Sequence, residues 1–256
     1  MNPEINTWMQ LILRWAHVVA GVIWIGHLYF FNWVNGPFAK TLGDEKRKIV
    51  PALLPRALFW FRWGAAWTWI TGILLLGLIY YHGRIVFDDP STGNMGLALG
   101  LLVASLFAAF VYDVIMRGVA NVLVANSLSL ALLAAMYFLL KSFGGFGGRA
   151  LYIHVGLMFG TAMAMNVWMR IWPAQKKIIP AVRDGVAPDA ALAAMAALRS
   201  RHNTFMSVPL LFLMVSNHYP TIFSGKLAEV YLVGFIAVGF IVTRMLYGKS
   251  ARVEGM

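Results

Sequence analysis

The polar and apolar positions of this chain sort into long blocks, without the alternation of strands or the one-sided stripe of soluble helices. A helix that crosses a bilayer needs about 20 predominantly apolar residues. Seven stretches of that character are legible: Trp8 to Val34, Leu53 to Tyr80, Met95 to Met116, Val119 to Leu140, Ala150 to Trp172, Thr204 to Asn217 and Leu227 to Tyr247. The sixth is short and contains Pro209, which removes a backbone donor and kinks a helix where neighbours satisfy the freed carbonyl. The pattern predicts an all-α integral membrane protein, a single transmembrane domain over residues 1–256 built as a bundle of about seven helices. The first stretch is expected to stay in the mature chain, because Glu4 and no Lys or Arg precede it and its apolar run is too long for a signal peptide.

Between the blocks the charges fall unevenly. Connections at about 37–56 and 173–201 carry Lys40, Lys46, Arg47, Lys48, Arg56, Lys176, Lys177, Arg183, Arg199 and Arg201, whereas the opposite ends hold Arg14, Arg84, Lys141, Arg149 and Lys226. Basic residues accumulate on the cytoplasmic side, so the N-terminus is expected outside and the C-terminus, at Met256, in the cytoplasm. Pro188 at a first helical position and Asp189 in the first turn predict a short surface helix from Asp189 to Ser200. Gly144, Gly145, Gly147 and Gly148 predict an outer loop, and Asp88, Asp89 and Pro90 an exposed turn.

Composition narrows the function classes. The chain is 60% hydrophobic and 12% charged, against about 25% charged in soluble domains, which excludes a soluble globular enzyme and a disordered chain. The net charge of +11 is then mostly topology, and no nucleic-acid partner is expected. The absence of cysteine excludes disulfides, thiolate metal sites, a thiol nucleophile and covalent c-type haem. Any metal or haem must use His, Met or oxygen ligands.

Ionisable groups at membrane depth are costly and mark functional candidates. His17 on the first stretch and His154 on the fifth are expected at similar depth in the outer half, with His218 near them in Ser216-Asn217-His218-Tyr219-Pro220; His27 and His202 are expected in the inner half. Ten residues separate His17 from His27, about 15 Å of rise and about 280° of rotation on a helix, so they cannot ligate one metal. They could serve two levels of b-type haem, with His17, His154, His27, His202 and His218 as candidate axial ligands. The plainer alternative is a membrane histidine bonded to a carbonyl or a hydroxyl. Arg62, within Phe59-Trp60-Phe61-Arg62-Trp63-Gly64, offers a guanidinium fork to an anion or snorkels to the interface. Trp60, Trp63 and Trp67 share one helical face, either to stack on a planar ligand or as packing. Asp113 and Arg117 are expected to pair at i, i+4. Asn121, Asn126, Ser127 and Asn166 are expected to hydrogen-bond between helices, with Asn166 alternatively orienting a substrate.

Four stretches carry a resemblance: HVVAGVIWIGHLYFFNWVNGP from His17 to Pro37, FWFRWGAAWTWITG from Phe59 to Gly72, HVGLMFGTAMAMNVWMRIWPAQKKII from His154 to Ile179, and RHNTFMSVPLLFLMVSNHYP from Arg201 to Pro220. On these the chain resembles the membrane domain of the cytochrome-c-linked urate oxidases, the integral-membrane urate hydroxylases of bacteria. The resemblance implies a multi-pass protein of the bacterial inner membrane that oxidises urate to 5-hydroxyisourate and passes electrons to cytochrome c and the respiratory chain. Family members usually continue into another helix and a C-terminal cytochrome c domain, whereas this sequence ends at Met256. Either the acceptor is a separate cytochrome c or a respiratory complex, or the chain represents a different electron-transfer branch of the family.

For the anionic purine that the resemblance implies, the residues suggest a place near Arg62, Trp63, Asn203 and Asn166, with His27 or His202 taking a proton as electrons leave. The rival readings are a non-catalytic b-type haem subunit of a respiratory complex, which uses the same histidines without a substrate pocket, and a transporter. The transporter ranks last because histidines outnumber buried carboxylates.

Overall fold

The computed structural model describes residues 2–91 and 93–253; Met256, to which the orientation of the C-terminus refers, lies outside them. The described residues form helices and turns with no strand. In chain order the main helices are α1 (Pro3–Tyr29), α2 (Lys46–Leu76), α3 (Met95–Gly118), α4 (Val122–Phe138), α5 (Gly148–Met165), α6 (Trp172–Arg183), α7 (Ala190–Ser216) and α8 (Ala228–Ser250). Wider π-helical turns extend four of them: Phe30–Asn35 after α1, Gly77–His82 after α2, Leu139–Phe143 after α4 and Asn166–Ile171 between α5 and α6.

Local chemistry sets several starts. Asn94 Oδ1 accepts the Leu97 N–H at 3.0 Å and so caps α3. Asn121 accepts from Leu123 and Val124 at 2.9 and 3.2 Å to cap α4. Asp189 accepts from Ala191 and Leu192 at 2.9 and 3.2 Å ahead of α7. Each satisfies amides that the first helical turn leaves unpaired. Asn121 is thus a cap where an interhelical bond was expected, because it stands at the first residue before a helical run.

Among the described residues six helical stretches are long and apolar enough to cross a membrane: Pro3–Phe38, Gly43–His82, Met95–Gly118, Val122–Phe143, Gly148–Arg183 and Ala228–Ser250. These match six of the seven stretches read from the sequence. The remaining one, from Thr204 to Asn217, is the C-terminal half of α7. The expected surface helix Asp189–Ser200 is the N-terminal half of that same helix, since no breaker separates Ser200 from Thr204 and Pro209 is carried inside it. Helix also replaces most of the two long basic connections: α2 starts at Lys46 with Pro51 and Pro55 inside it, and α6 runs to Arg183. The stretch Gly148–Arg183 is 78% buried in its apolar window, against 17–33% for the other five, so it is the most enclosed, and the others present apolar side chains outward as lipid-facing helices do.

By internal contacts the chain divides into two compact units. One comprises Met1–Leu11, Gly72–Ala162 and Pro209–Ala237; the other comprises Ile12–Thr71, Met163–Val208 and Val238–Met256. The first unit buries Leu140, Tyr152, His154, Val155 and Leu213, and in it Arg117 pairs with Asp113 at 3.1 Å, as their spacing predicts. Its exposed turn Asp88–Pro90 is anchored by Asp89, which accepts from the Ser91 amide and hydroxyl at 2.9 and 2.7 Å; these bonds hold the Asp89 carboxyl below its ordinary range. The second unit buries Trp24, Leu28, Phe61, Ala65, Met163 and Val167. There α1 and α2 approach so closely that a β-carbon on Gly64 would stand 3.0 Å from the Trp24 amide nitrogen.

Candidate functional site

The second unit holds Arg62 in an aromatic enclosure. Phe61 before it is buried against Phe31, ring edge to face at 5.3 Å, which turns Arg62 toward the neighbouring helices. Its guanidinium carbon lies 4.0 Å from the Trp172 ring centre and 5.8, 5.9 and 6.0 Å from those of Phe59, Trp168 and Trp63. Trp168 donates its indole N–H to the Arg62 carbonyl at 3.0 Å, tying the π turn after α5 to α2. A desolvated cation over an aromatic face gains about 2 kcal/mol. The rings do not satisfy the Arg62 Nε–H, which is buried without a hydrogen-bond partner. The indole N–H groups of Trp24 and Trp33 are in the same state, and Gln175 Oε1 is an open acceptor. Each buried group left unpaired costs about 1–3 kcal/mol.

Beside this enclosure along the sequence lies a closed polar frame. Asn166, first residue of its π turn, donates to Asn203 Oδ1 at 2.8 Å, and Asn203 donates to the Met163 carbonyl at 2.9 Å. Both side chains are fully buried, as are Arg199, Thr204 and Ser207 on α7. Asn32, in the π turn after α1, donates to Ser200 Oγ at 2.9 Å and accepts from the Tyr247 hydroxyl at 2.8 Å. The Tyr29 and Ser207 hydroxyls are 3.1 Å apart. The frame joins α1, α5, α7 and α8 through side chains that have satisfied one another.

Of the expected site residues, the structure joins Arg62 with Trp63, and Asn166 with Asn203. His202 is next to Asn203 on α7. His27 gives its Nδ1–H to the Ile23 carbonyl at 2.7 Å and its ring is 6.5 Å from Phe31. His17 Nδ1 is 3.0 Å from Thr71 Oγ1, whose own proton goes to the Trp67 carbonyl at 2.6 Å, so His17 is the donor of that pair. In both neutral rings Nε2 therefore carries a lone pair, the arrangement of imidazoles that bind metal through Nε2. His154 differs: its Nδ1–H meets the Ala150 carbonyl at 2.7 Å and its Nε2 meets the Tyr81 hydroxyl at 2.9 Å, which leaves no nitrogen for iron. His17, His27 and His202 belong to the second unit, and His154 and His218 to the first. His218 is exposed in the turn after α7. Among the described residues no group of three or more metal-ligating side chains occurs.

The tryptophan stripe on α2 lines an open cleft of about 700 Å³ together with Trp15, Val19 and Ile23 of α1. Trp15 is 70% and Trp67 55% exposed, so this end of the stripe is open, while Phe59 and Trp63 line both the cleft and the Arg62 enclosure.

Sequence reasoning missed Trp24, Trp33, Asn32, Trp168, Trp172 and Tyr81. Trp168 and Trp172 stand four apart, a spacing that was available as a signal, and Asn32 is a polar residue inside an apolar run; Trp24, Trp33 and Tyr81 lie in apolar runs where a tryptophan or tyrosine reads as packing. The family model described as "Urate oxidase N-terminal" matches this chain over residues 3–48 and 42–254. No curated protein and no solved structure matches it.

Proposed function

Because the chain belongs to the urate oxidase N-terminal family, we propose that it is a membrane oxidoreductase of the bacterial inner membrane that converts urate to 5-hydroxyisourate. The carrying observation is the set of buried donors without partners in the second unit: Arg62 Nε–H, Trp24 Nε1–H and Trp33 Nε1–H. Urate at neutral pH is a planar anion whose oxygens and nitrogens accept hydrogen bonds. A guanidinium suits its charge, and the rings around Arg62 suit its face. The Asn166–Asn203 pair holds the π turn that carries Trp168 and so positions the enclosure.

Urate and water yield 5-hydroxyisourate, two protons and two electrons. His27, whose Nε2 has a free lone pair, takes a proton within a turn of Phe31; His202 is the alternative acceptor. A b-type haem would be held by His17, whose Nδ1 is spent on Thr71 and whose Nε2 is left for iron, and would supply single-electron storage on the way to cytochrome c or a respiratory complex; with His27 as the proton acceptor its Nε2 is not also a ligand. In this reading α7 is a seventh crossing, the N-terminus is outside and the C-terminus cytoplasmic.

Purified protein should reduce cytochrome c in a urate-dependent manner. Loss of a charge-assisted hydrogen bond, worth about 1.5–3 kcal/mol, sets the expected drop in kcat/KM for Arg62→Ala at roughly 10- to 100-fold. Arg62→Lys should recover part of it. Unchanged turnover in Arg62→Ala rejects the clamp. A reduced-minus-oxidised spectrum tests the haem: a haem band without urate turnover makes the chain an electron-conducting subunit, and urate uptake by proteoliposomes without redox change makes it a transporter.

A further inference from the structure

Gln175 is a polar residue on a face of α6 that is otherwise apolar and enclosed. Ile171, which ends the π turn, stands four residues before it and Ile179 four after it, and both are buried; residues four apart on a helix share a face. The Gln175 Oε1 is buried and accepts no hydrogen bond. A carbonyl oxygen withdrawn from water costs stability until a donor meets it. Gln175 also follows Trp172 by three residues, so the two side chains are neighbours on the helix surface. The Trp172 ring has two cations beside it: the Arg62 guanidinium carbon is 4.0 Å from its centre, and Nζ of the exposed Lys176 is 5.9 Å from it. Positive charge at this indole favours the oxygen end of the adjacent amide dipole pointing inward.

We infer that Gln175 Oε1 reads a ring N–H of the bound ligand, so that the Arg62 enclosure selects a planar heterocycle that is at once an anion and a hydrogen-bond donor. The inference rests on the urate reading above and adds a specificity-determining residue to it. Arg62 answers the negative charge and the carbonyl oxygens of such a ligand. It cannot answer the N–H groups, because a guanidinium has donors only. The urate monoanion keeps N–H groups on both of its rings, and one of them buried against donors alone would stay unpaired at a cost in affinity. Gln175 supplies the acceptor, and a single bond then satisfies two groups that are otherwise orphaned. A planar anion without an N–H, such as benzoate, pairs with Arg62 and leaves the Gln175 oxygen as it was. A site built to hydrogen-bond its ligand rejects analogues chiefly through the groups they leave unpaired. Selection therefore falls on anions of cyclic ureas and imides.

The test is isothermal titration calorimetry of the full chain in detergent, with urate and with its analogues methylated at single ring nitrogens, each of which replaces one N–H. Wild type should bind one of these analogues more weakly than urate, by on the order of tenfold or more. Gln175→Met, similar in length but without the oxygen, should weaken urate binding on the order of tenfold and shrink the discrimination against that analogue by a similar factor. Gln175→Glu keeps an acceptor and should keep the discrimination. The melting temperature of ligand-free Gln175→Met should not fall, because the oxygen it loses has no partner. A purely structural glutamine would give the reverse, a lower melting temperature with an unchanged ratio of affinities. That ratio persisting in Gln175→Met, or equal binding of all the analogues by wild type, overturns the assignment and leaves the urate site standing. Wild type that binds no urate overturns the urate reading and the assignment with it.

Discussion

The two buried asparagines of the polar frame are joined directly, side chain to side chain. Asn166 gives its amide to Asn203, and Asn203 gives its own to the Met163 carbonyl, so truncating either leaves a buried dipole unpaired at about 1–3 kcal/mol. Asn203→Leu and Asn166→Leu should each lower the melting temperature in detergent by intrinsic tryptophan fluorescence. The double variant should be destabilised by less than the sum of the singles, because the second change removes the group that the first had orphaned; additive losses would mean that the contact carries no coupling. Both asparagines were visible in the sequence as polar residues at membrane depth, and so was Arg62. The partners were not. Nothing in the order of residues says that Trp168 will donate to the Arg62 carbonyl, or that Tyr81 will take the nitrogen that His154 was expected to offer to iron. Those pairings depend on which helices meet, and a single sequence of apolar blocks leaves that open.

At the scale of elements, two close helix approaches differ in what opposes them. A β-carbon on Gly64 would meet backbone, the Trp24 amide nitrogen at 3.0 Å and Cα at 3.2 Å, whereas one on Gly156 would meet the Met214 methyl at 2.5 Å. A methionine terminus swings aside at little cost; two packed backbones do not. Gly64→Ala is therefore expected to destabilise more than Gly156→Ala, with Gly64→Val reaching the roughly 1–3 kcal/mol of an overpacked core. Since Gly64 follows Arg62 by two residues, Gly64→Val should also raise the KM for urate. Equal melting temperatures for the two alanine variants would contradict the difference in what lines each crossing. The π turns are the other element-level feature. Asn32 and Trp33, Tyr80 and Tyr81, and Asn166 and Trp168 all sit in them. A helix with an extra residue per turn shifts which side chains share a face, so a 3.6-residue periodicity fails at Asn166 and at the unmarked residues Asn32, Trp33, Tyr81 and Trp168, while His17, His27, Arg62 and Trp63 lie in ordinary α-helix. Helix existence and most boundaries survived that failure, because long apolar runs specify a membrane helix whatever its local winding.

For the whole molecule the open matter is whether α7 crosses. Its 27 residues extend about 40 Å at 1.5 Å per residue, beyond a hydrocarbon thickness of about 30 Å. It is absent from the six stretches chosen for apolarity because Arg199, Arg201, His202, Asn203 and Ser207 lie along it. Asn203, Thr204, Ser207 and Leu213 are wholly buried. Apolarity is demanded of surface that meets lipid; a helix face enclosed by other helices is exempt, provided its polar groups find partners as these do. Seven crossings put the chain ends on opposite sides, six put them on the same side. The chain contains no cysteine, so single introduced thiols report without background. In intact spheroplasts an impermeant maleimide should label Ser91→Cys and Lys226→Cys, and should reach Asp184→Cys and Arg252→Cys only after permeabilisation. If α7 folds back without crossing, Lys226→Cys will behave like Asp184→Cys and Arg252→Cys will be labelled from outside. That result would separate α7 from the membrane interior and with it the assignment of His202 and Asn203 to a site at membrane depth.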